Sequence, residues 1–372
     1  MNTPFAFAER MDKIDASGIR KVFDLAASMK DPLNLSIGQP DFDVPDIIRE
    51  EAIEAIRKGF NKYTQTQGVA ELRTALWDQC SAEFGWENHS EHPILITSGV
   101  SGALMLAFLV MINPGDEVLL LDPYFVMYKH LVNLCGGVPV SVNTYPDFKP
   151  NAAQIEAAIT PRTRVLCLNS PCNPTGAVYT EVELKAIADV ARRHDLIVIS
   201  DEIYDMFCYD DPFVSMAGLY KKTLLMRGFS KSYAMTGWRM GWCTGPADII
   251  EKMTMLQQYS FVCAPSMAQV ASTVALRTDM SPQVEAYKRK RDMVVEILGD
   301  KTGLVTPGGA FYAFVPAPPG LSASEFVSKA IANNVLIIPG NVFSDQDTHF
   351  RISYATTDEK LKKGLTILRD LC

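Results

Sequence analysis

Short, unbroken apolar runs recur through the first two thirds of this chain, and they restrict its fold more than any other feature. They read ILIT at 94–97, EVLLL at 117–121, RVLCL at 164–168, LIVIS at 196–200 and TLLM at 223–226. A strand with one wet face alternates apolar and polar residues, whereas a strand covered on both faces is apolar throughout. Helical patterns stand between most of these runs, at 124–135, 151–159 and 181–193. Strands separated by helices join as crossovers, which gives a mainly parallel sheet between helical layers. The expected fold class is therefore α/β.

Beyond about residue 280 the pattern changes. VEAYKRKRDMVVEIL reads as a long, charged amphipathic helix, and GGAFYAFV, VLIIPG and FRISYA read as strands with helices between and after them. This predicts a smaller α/β domain over 280–372, completed by residues 1–45, beside a large domain over 46–279. A length of 372 residues agrees with about two domains, and 48% hydrophobic with 21% charged residues is the mix of a globular protein with a large core.

From Pro93 to Gly115 the chain carries no charge. A membrane span is not the expected reading. The helical part, 101–112, would be only about 18 Å long against a bilayer core of about 30 Å, and a helix apolar on all sides is a buried one. The net charge of −8 argues against nucleic acid as the main ligand. The eight cysteines form no CxxC pair, so a metal site is not expected. They read as free thiols. With no apolar signal core in MNTPFAFAERMDK, the expected compartment is the reducing cytoplasm.

Four stretches carry chemistry. TSGVSGAL, 97–104, joins a strand to a helix. Its glycines admit backbone N–H groups to a ligand, and a helix start favours anions. SPCNPTG, 170–176, is a stiff turn that holds Asn173 at the carboxyl edge of the sheet, where open α/β proteins bind ligands. SDEIYD, 200–205, ends a strand with Asp201, a carboxylate costly to bury without a cation, and places Tyr204 nearby. Read singly, the first two also fit simple turns, and Asp201 also fits a helix cap. The fourth, GFSKSYAMTGWRMGW at 228–242, has only two charges, Lys231 and Arg239. Both are expected to be buried among its small and aromatic residues. A desolvated lysine loses its proton easily and can attack a carbonyl to form a Schiff base, whereas an arginine stays charged and suits a phosphate. A Schiff-base lysine, an acid for a ring nitrogen, a phenol and an amide for a ring oxygen, and a phosphate cup together describe a site for pyridoxal phosphate.

SIGQPDF, KYTQTQG, SPCNPTGAVY, SDEIYD, GFSKSYAMTGWRMG and FRISYA together resemble, in order and over nearly the full length, the class I/II aminotransferases of fold type I. The resemblance is strongest to bacterial and archaeal aspartate and aromatic aminotransferases. It implies roles for individual residues. Lys231 would bond covalently to pyridoxal phosphate. Asp201 would pair with the ring nitrogen. Tyr204 and Asn173 would meet the ring oxygen, and Phe125 would stack on the ring. Val100, Ser101 and Arg239 would hold the phosphate. Tyr63 would reach the phosphate of a neighbouring subunit's cofactor, which implies a homodimer with shared sites. Gly38 would line the substrate site, and Arg351 would grip the substrate carboxylate. Where many relatives carry a serine three residues before the lysine, this chain has Gly228, so no role is assigned there.

The implied reaction moves an amino group from an amino acid to a 2-oxo acid such as 2-oxoglutarate. Its alternatives are an aspartate aminotransferase in the same family and a β-lyase acting on cystathionine-like substrates. For the donor, the side-chain neighbourhoods hold Gln258 and Ser101 rather than a second cation, with Tyr259, Phe261 and Tyr124 nearby. An aromatic or broad neutral amino acid is the expected donor.

Overall fold

The computed structural model describes residues 6–16, 18, 19, 22, 27 and 29–372. Part of the expected 1–45 segment lies outside these residues. Twelve strands are labelled in chain order: β1 Leu33–Asn34, β2 Leu95–Ser98, β3 Glu117–Asp122, β4 Val138–Asn143, β5 Thr163–Asn169, β6 Ile197–Asp201, β7 Thr223–Gly228, β8 Met240–Thr244, β9 Tyr312–Pro316, β10 Val335–Leu336, β11 Ile338–Pro339 and β12 His349–Ser353.

The seven-stranded sheet has the order β2-β8-β7-β6-β5-β3-β4. Each neighbouring pair from β4 to β7 is parallel, while β8 runs antiparallel to both β7 and β2. The five apolar runs are all strands of this sheet, and β3 is buried along its whole length. Residues 101–112 lie mostly in the Gly99–Met111 helix, which buries Leu104, Leu106 and Phe108. No helix among the described residues is long and apolar enough to cross a membrane.

Register brings the site together. Asn169 and Asp201 are cross-strand partners at the ends of β5 and β6, and Asp201 pairs across to Met226 on β7. The helix after the Asn173 turn, Glu181–Arg193, starts on a capping box made by Thr180 and Glu183, a pattern that satisfies two backbone donors at the helix start.

A second sheet, β11-β12-β9, is antiparallel and sets Arg351 opposite Phe314 and Ile338. β1 pairs parallel with β10 and brings residues 35–41 across the carboxyl edge of the large sheet. The predicted long helix spans Ser281–Thr302. It fixes the 35–41 segment through Asp41, which accepts from Tyr287 O–H at 2.6 Å and pairs with Lys290 at 2.9 Å.

Candidate active site

A cavity of about 570 Å³ opens at the carboxyl edge of the large sheet, where the second sheet faces it. Its wall contains Asn169, Asn173, Asp201 and Tyr204 from one side, Tyr312 and Arg351 from the other, and Lys231 between them.

Asp201 is 3% exposed. Its oxygens accept from Tyr128 O–H at 2.7 Å and from the Ile203 N–H at 3.3 Å, rather than pairing with a cation. Burial pushes the carboxyl up to about 6, against hydrogen bonds from Tyr128 and Ile203 that pull it down. Residues 203–206 form a turn and not a helix, so the helix-cap reading of Asp201 is excluded. Asn169 ties the strand end by donating to the Asp201 carbonyl at 2.9 Å, and its side-chain oxygen accepts the Asn173 N–H at 2.8 Å.

Lys231 lies in the turn after β7. Its Nζ donates to the Gly38 carbonyl at 2.6 Å. Burial brings the amine down to about 8, helped by the charges of Arg351 and Arg239 and opposed by Asp201. Arg351 is 1% exposed. One Nη donates to Asn173 Oδ1 at 2.9 Å and the other to the Ser36 carbonyl at 2.7 Å, while Nε is buried without a partner. The guanidinium lies 4.5 Å from the ring centre of Tyr312 and 4.8 Å from that of Phe343. Phe125 faces the cavity and meets Tyr128 edge-on.

The other end of the cavity is the start of the Gly99–Met111 helix. Gly99 has φ +66°, and a Cβ there would stand 2.7 Å from Arg239 Nη2. Val100 and Ser101 line the cavity beside it. At Gly241 a Cβ would fall 2.5–2.8 Å from the Gly99–Val100 backbone. The absence of side chains is what lets β8 lie so close to the helix start. A Cβ at Gly228 would touch Ile203, the Met240 carbonyl and Gly241 at 3.1–3.2 Å, so that space is already filled. Ser230, not residue 228, reaches the cavity wall.

Several sequence expectations need correction. Arg239 is exposed at the rim, held by its bond to the Thr236 carbonyl at 2.9 Å, because it projects from a left-handed residue at φ +57°. Of the two cations in its stretch, only Lys231 is withdrawn from solvent. Gln258, Tyr259 and Phe261 are all exposed and outside the cavity; Gln258 is the last residue of the Ala247–Gln258 helix, and the two aromatic residues follow its end. Tyr124 is buried behind the wall, where its N–H bonds the Phe343 carbonyl. The wall takes Ile14, Ile19, Leu104, Val126 and Met127 instead. Tyr63, expected to act at a neighbouring subunit's site and not in this cavity, is 84% exposed and lines a separate hollow with Phe60, Lys62 and Ser266. Tyr128, Tyr312, Asn169 and His130 were missed. Tyr128 looks like one more apolar position of a helix, and Tyr312 like one strand residue in an aromatic run.

Residues 30–368 match the family Aminotransferase class I and II. The chain belongs to that family. This aminotransferase is 39% identical to an aspartate aminotransferase of Pyrococcus abyssi, over 97% of this chain and 96% of that one. It is equally identical, with the same coverage, to aromatic-amino-acid aminotransferase 2 of Thermococcus litoralis. The structure of a Thermus thermophilus aspartate aminotransferase with maleate superposes with a TM-score of 0.95 at 35% identity, covering 99% of this chain and 100% of that chain. The protein is therefore a pyridoxal-phosphate-dependent aminotransferase. The cavity fits that cofactor: a buried carboxylate lacks a cation, a lysine is held near neutrality, and a glycine-lined helix start faces a guanidinium.

Proposed function

We propose that this aminotransferase takes its amino group from an aromatic or broad neutral amino acid and passes it to a 2-oxo acid such as 2-oxoglutarate. Bound pyridoxal phosphate supplies a reactive aldehyde carbon and an electron-withdrawing ring. Asp201 holds the positive charge of the ring nitrogen, and the Tyr128 O–H bond at 2.7 Å keeps the carboxylate aimed. Tyr204 and Asn173 donate to the ring oxygen, and Phe125 lies against the ring. The backbone of Val100 and Ser101, the Ser101 hydroxyl and Arg239 bind the phosphate dianion at the helix start. Lys231 Nζ would hold the cofactor covalently at that aldehyde carbon. As a free amine Lys231 Nζ would take the substrate α-proton as general base, a task suited to an amine brought down to about 8.

Arg351 meets the α-carboxylate with its guanidinium fork, and Gly38 gives the substrate room beside the Lys231 amine. Tyr63 serves the phosphate of a partner subunit in a homodimer, which its exposure outside its own chain's cavity supports. The large unit is 46–279, the small one 1–45 with 280–372, and the protein works in the cytoplasm.

One observation carries the donor class. Beyond Lys231, Arg239 and Arg351 the cavity wall adds no lysine or arginine among the described residues, whereas it does add Ile14, Ile19, Leu104, Val126 and Met127. A charge-assisted hydrogen bond is worth about 1.5–3 kcal/mol, so aspartate should react about 10- to 100-fold less efficiently than phenylalanine or tyrosine. The test is a panel of single amino acids in the first half-reaction. A kcat/KM for aspartate well above those for the aromatic donors would overturn the assignment.

A further inference from the structure

Tyr204 and Tyr312 reach the cavity from opposite sides, one on the turn after β6 and the other on β9. Their hydroxyl oxygens are 2.9 Å apart. Both side chains are buried, and the rings meet edge-to-face. A phenol has one hydrogen to donate, so one of the pair gives its hydrogen to the other and the second keeps its own for another acceptor. Among the described residues, neither hydroxyl has a further hydrogen-bond partner. In the role proposed above Tyr204 spends its one hydrogen on the ring oxygen of the cofactor, so at this contact its oxygen can only accept. Tyr312 is then the donor of the 2.9 Å bond, and both hydrogens have an acceptor.

We propose that Tyr312 is a positioning residue that donates to Tyr204 Oη, turning the Tyr204 hydrogen onto the ring oxygen of the cofactor and making it a stronger donor. This rests on the assignment of Tyr204 to that oxygen. Hydrogen bonds in a chain polarise one another. A stronger donor at the ring oxygen stabilises the negative charge left there when the lysine-linked cofactor loses its proton, so the proton leaves at lower pH. The other charged or titratable groups around Lys231 are Asp201 with Tyr128 behind it, Arg351 on β12, Arg239 at the rim, and Asp15 and His130 in the cavity wall. A Tyr312→Phe change leaves all of these in place and keeps a ring over the Arg351 guanidinium.

The test is the pH titration of the visible band of the cofactor-loaded protein in three variants. Tyr312→Phe should raise the midpoint by about half a pH unit, lower kcat and leave KM for the amino acid nearly unchanged. Tyr204→Phe should raise the midpoint further. In the double variant Tyr312→Phe should add nothing, because its effect passes through the Tyr204 hydroxyl. A Tyr312→Phe titration that superimposes on wild type, or a double variant showing the sum of the two shifts, would overturn the proposal while leaving Tyr204 in its role. No shift in Tyr204→Phe would remove both the proposal and the role it rests on.

Discussion

Replacing Asp201 by asparagine should stabilise the cofactor-free protein and disable the loaded one. In the protein alone the carboxyl sits at about 6 rather than 3.8, chiefly through burial. Each pKa unit corresponds to about 1.4 kcal/mol, so an ionised Asp201 costs the cofactor-free fold about 3 kcal/mol. The folded pKa lies above the unfolded one. Below pH ~3.8 both states are protonated and there is no cost. Between ~3.8 and ~6 the unfolded chain ionises first and stability falls, and above ~6 the cost is complete. Asparagine removes the charge and keeps an oxygen for Tyr128 O–H, but turns an N–H₂ towards the Ile203 N–H, which costs about 1 kcal/mol or more. The net gain at pH 7.5 is about 1–2 kcal/mol, a Tm rise of roughly 1–3 °C for a chain of this size. At pH 4 the gain should vanish or reverse. Cofactor changes the sign, because it supplies the cation that Asp201 lacks. Breaking such a buried pair from one side costs about 3–5 kcal/mol, so α-proton exchange should fall about 100-fold or more. Calorimetry of the cofactor-free proteins at both pH values and exchange on the loaded ones would decide it. A Tm difference that ignores pH, or exchange that survives the substitution, would refute the reasoning.

Arg351→Lys keeps the charge but loses the fork and the two aromatic faces, so kcat/KM for all amino acids should drop about 100-fold in the half-reaction, with cofactor affinity little changed. Mixing Tyr63→Phe subunits with Lys231→Ala subunits should restore some complete sites if Tyr63 serves the partner, and activity should exceed that of either variant alone. Because the Lys231 amine titrates near 8 in the folded protein, capture of pyridoxal phosphate by the cofactor-free protein should rise with pH and level off just above 8. Over pH 8–10.5 the unfolded chain binds the extra proton, so this group adds stability as pH rises, measurable as a Tm increment absent from Lys231→Met.

The sheet was legible because its interior strands are covered on both faces and therefore read as unbroken apolar runs. The two strands that escaped notice lack that signature. β4, VPVSVN, is an edge strand half open to solvent and contains Pro139. β8, MGWCT, carries Gly241, required for close approach to Gly99, and so resembles a loop. Within the site, residues on strand ends and in the lysine stretch could be read because polar groups there have no packing reason to exist. Tyr128 and Tyr312 could not, since an aromatic residue at a core position is ordinary until its hydroxyl is seen to reach Asp201 or Tyr204. The aromatic residues after the Ala247–Gln258 helix failed for the opposite reason. Their side chains promise burial, yet Tyr259 is 86% exposed.

The most direct test of the account is borohydride reduction of the cofactor-loaded protein followed by peptide mapping. Lys231 is the lysine whose amine stands in the cavity, 2.6 Å from the Gly38 carbonyl and with its pKa lowered. The account predicts loss of the visible band and one reduced cofactor per chain on the peptide that contains Lys231. Lys231→Ala should bind the cofactor through the remaining contacts but release it on denaturation. Reduced cofactor found on any other lysine of the wild-type protein would contradict the assignment on which every step of the proposed chemistry depends.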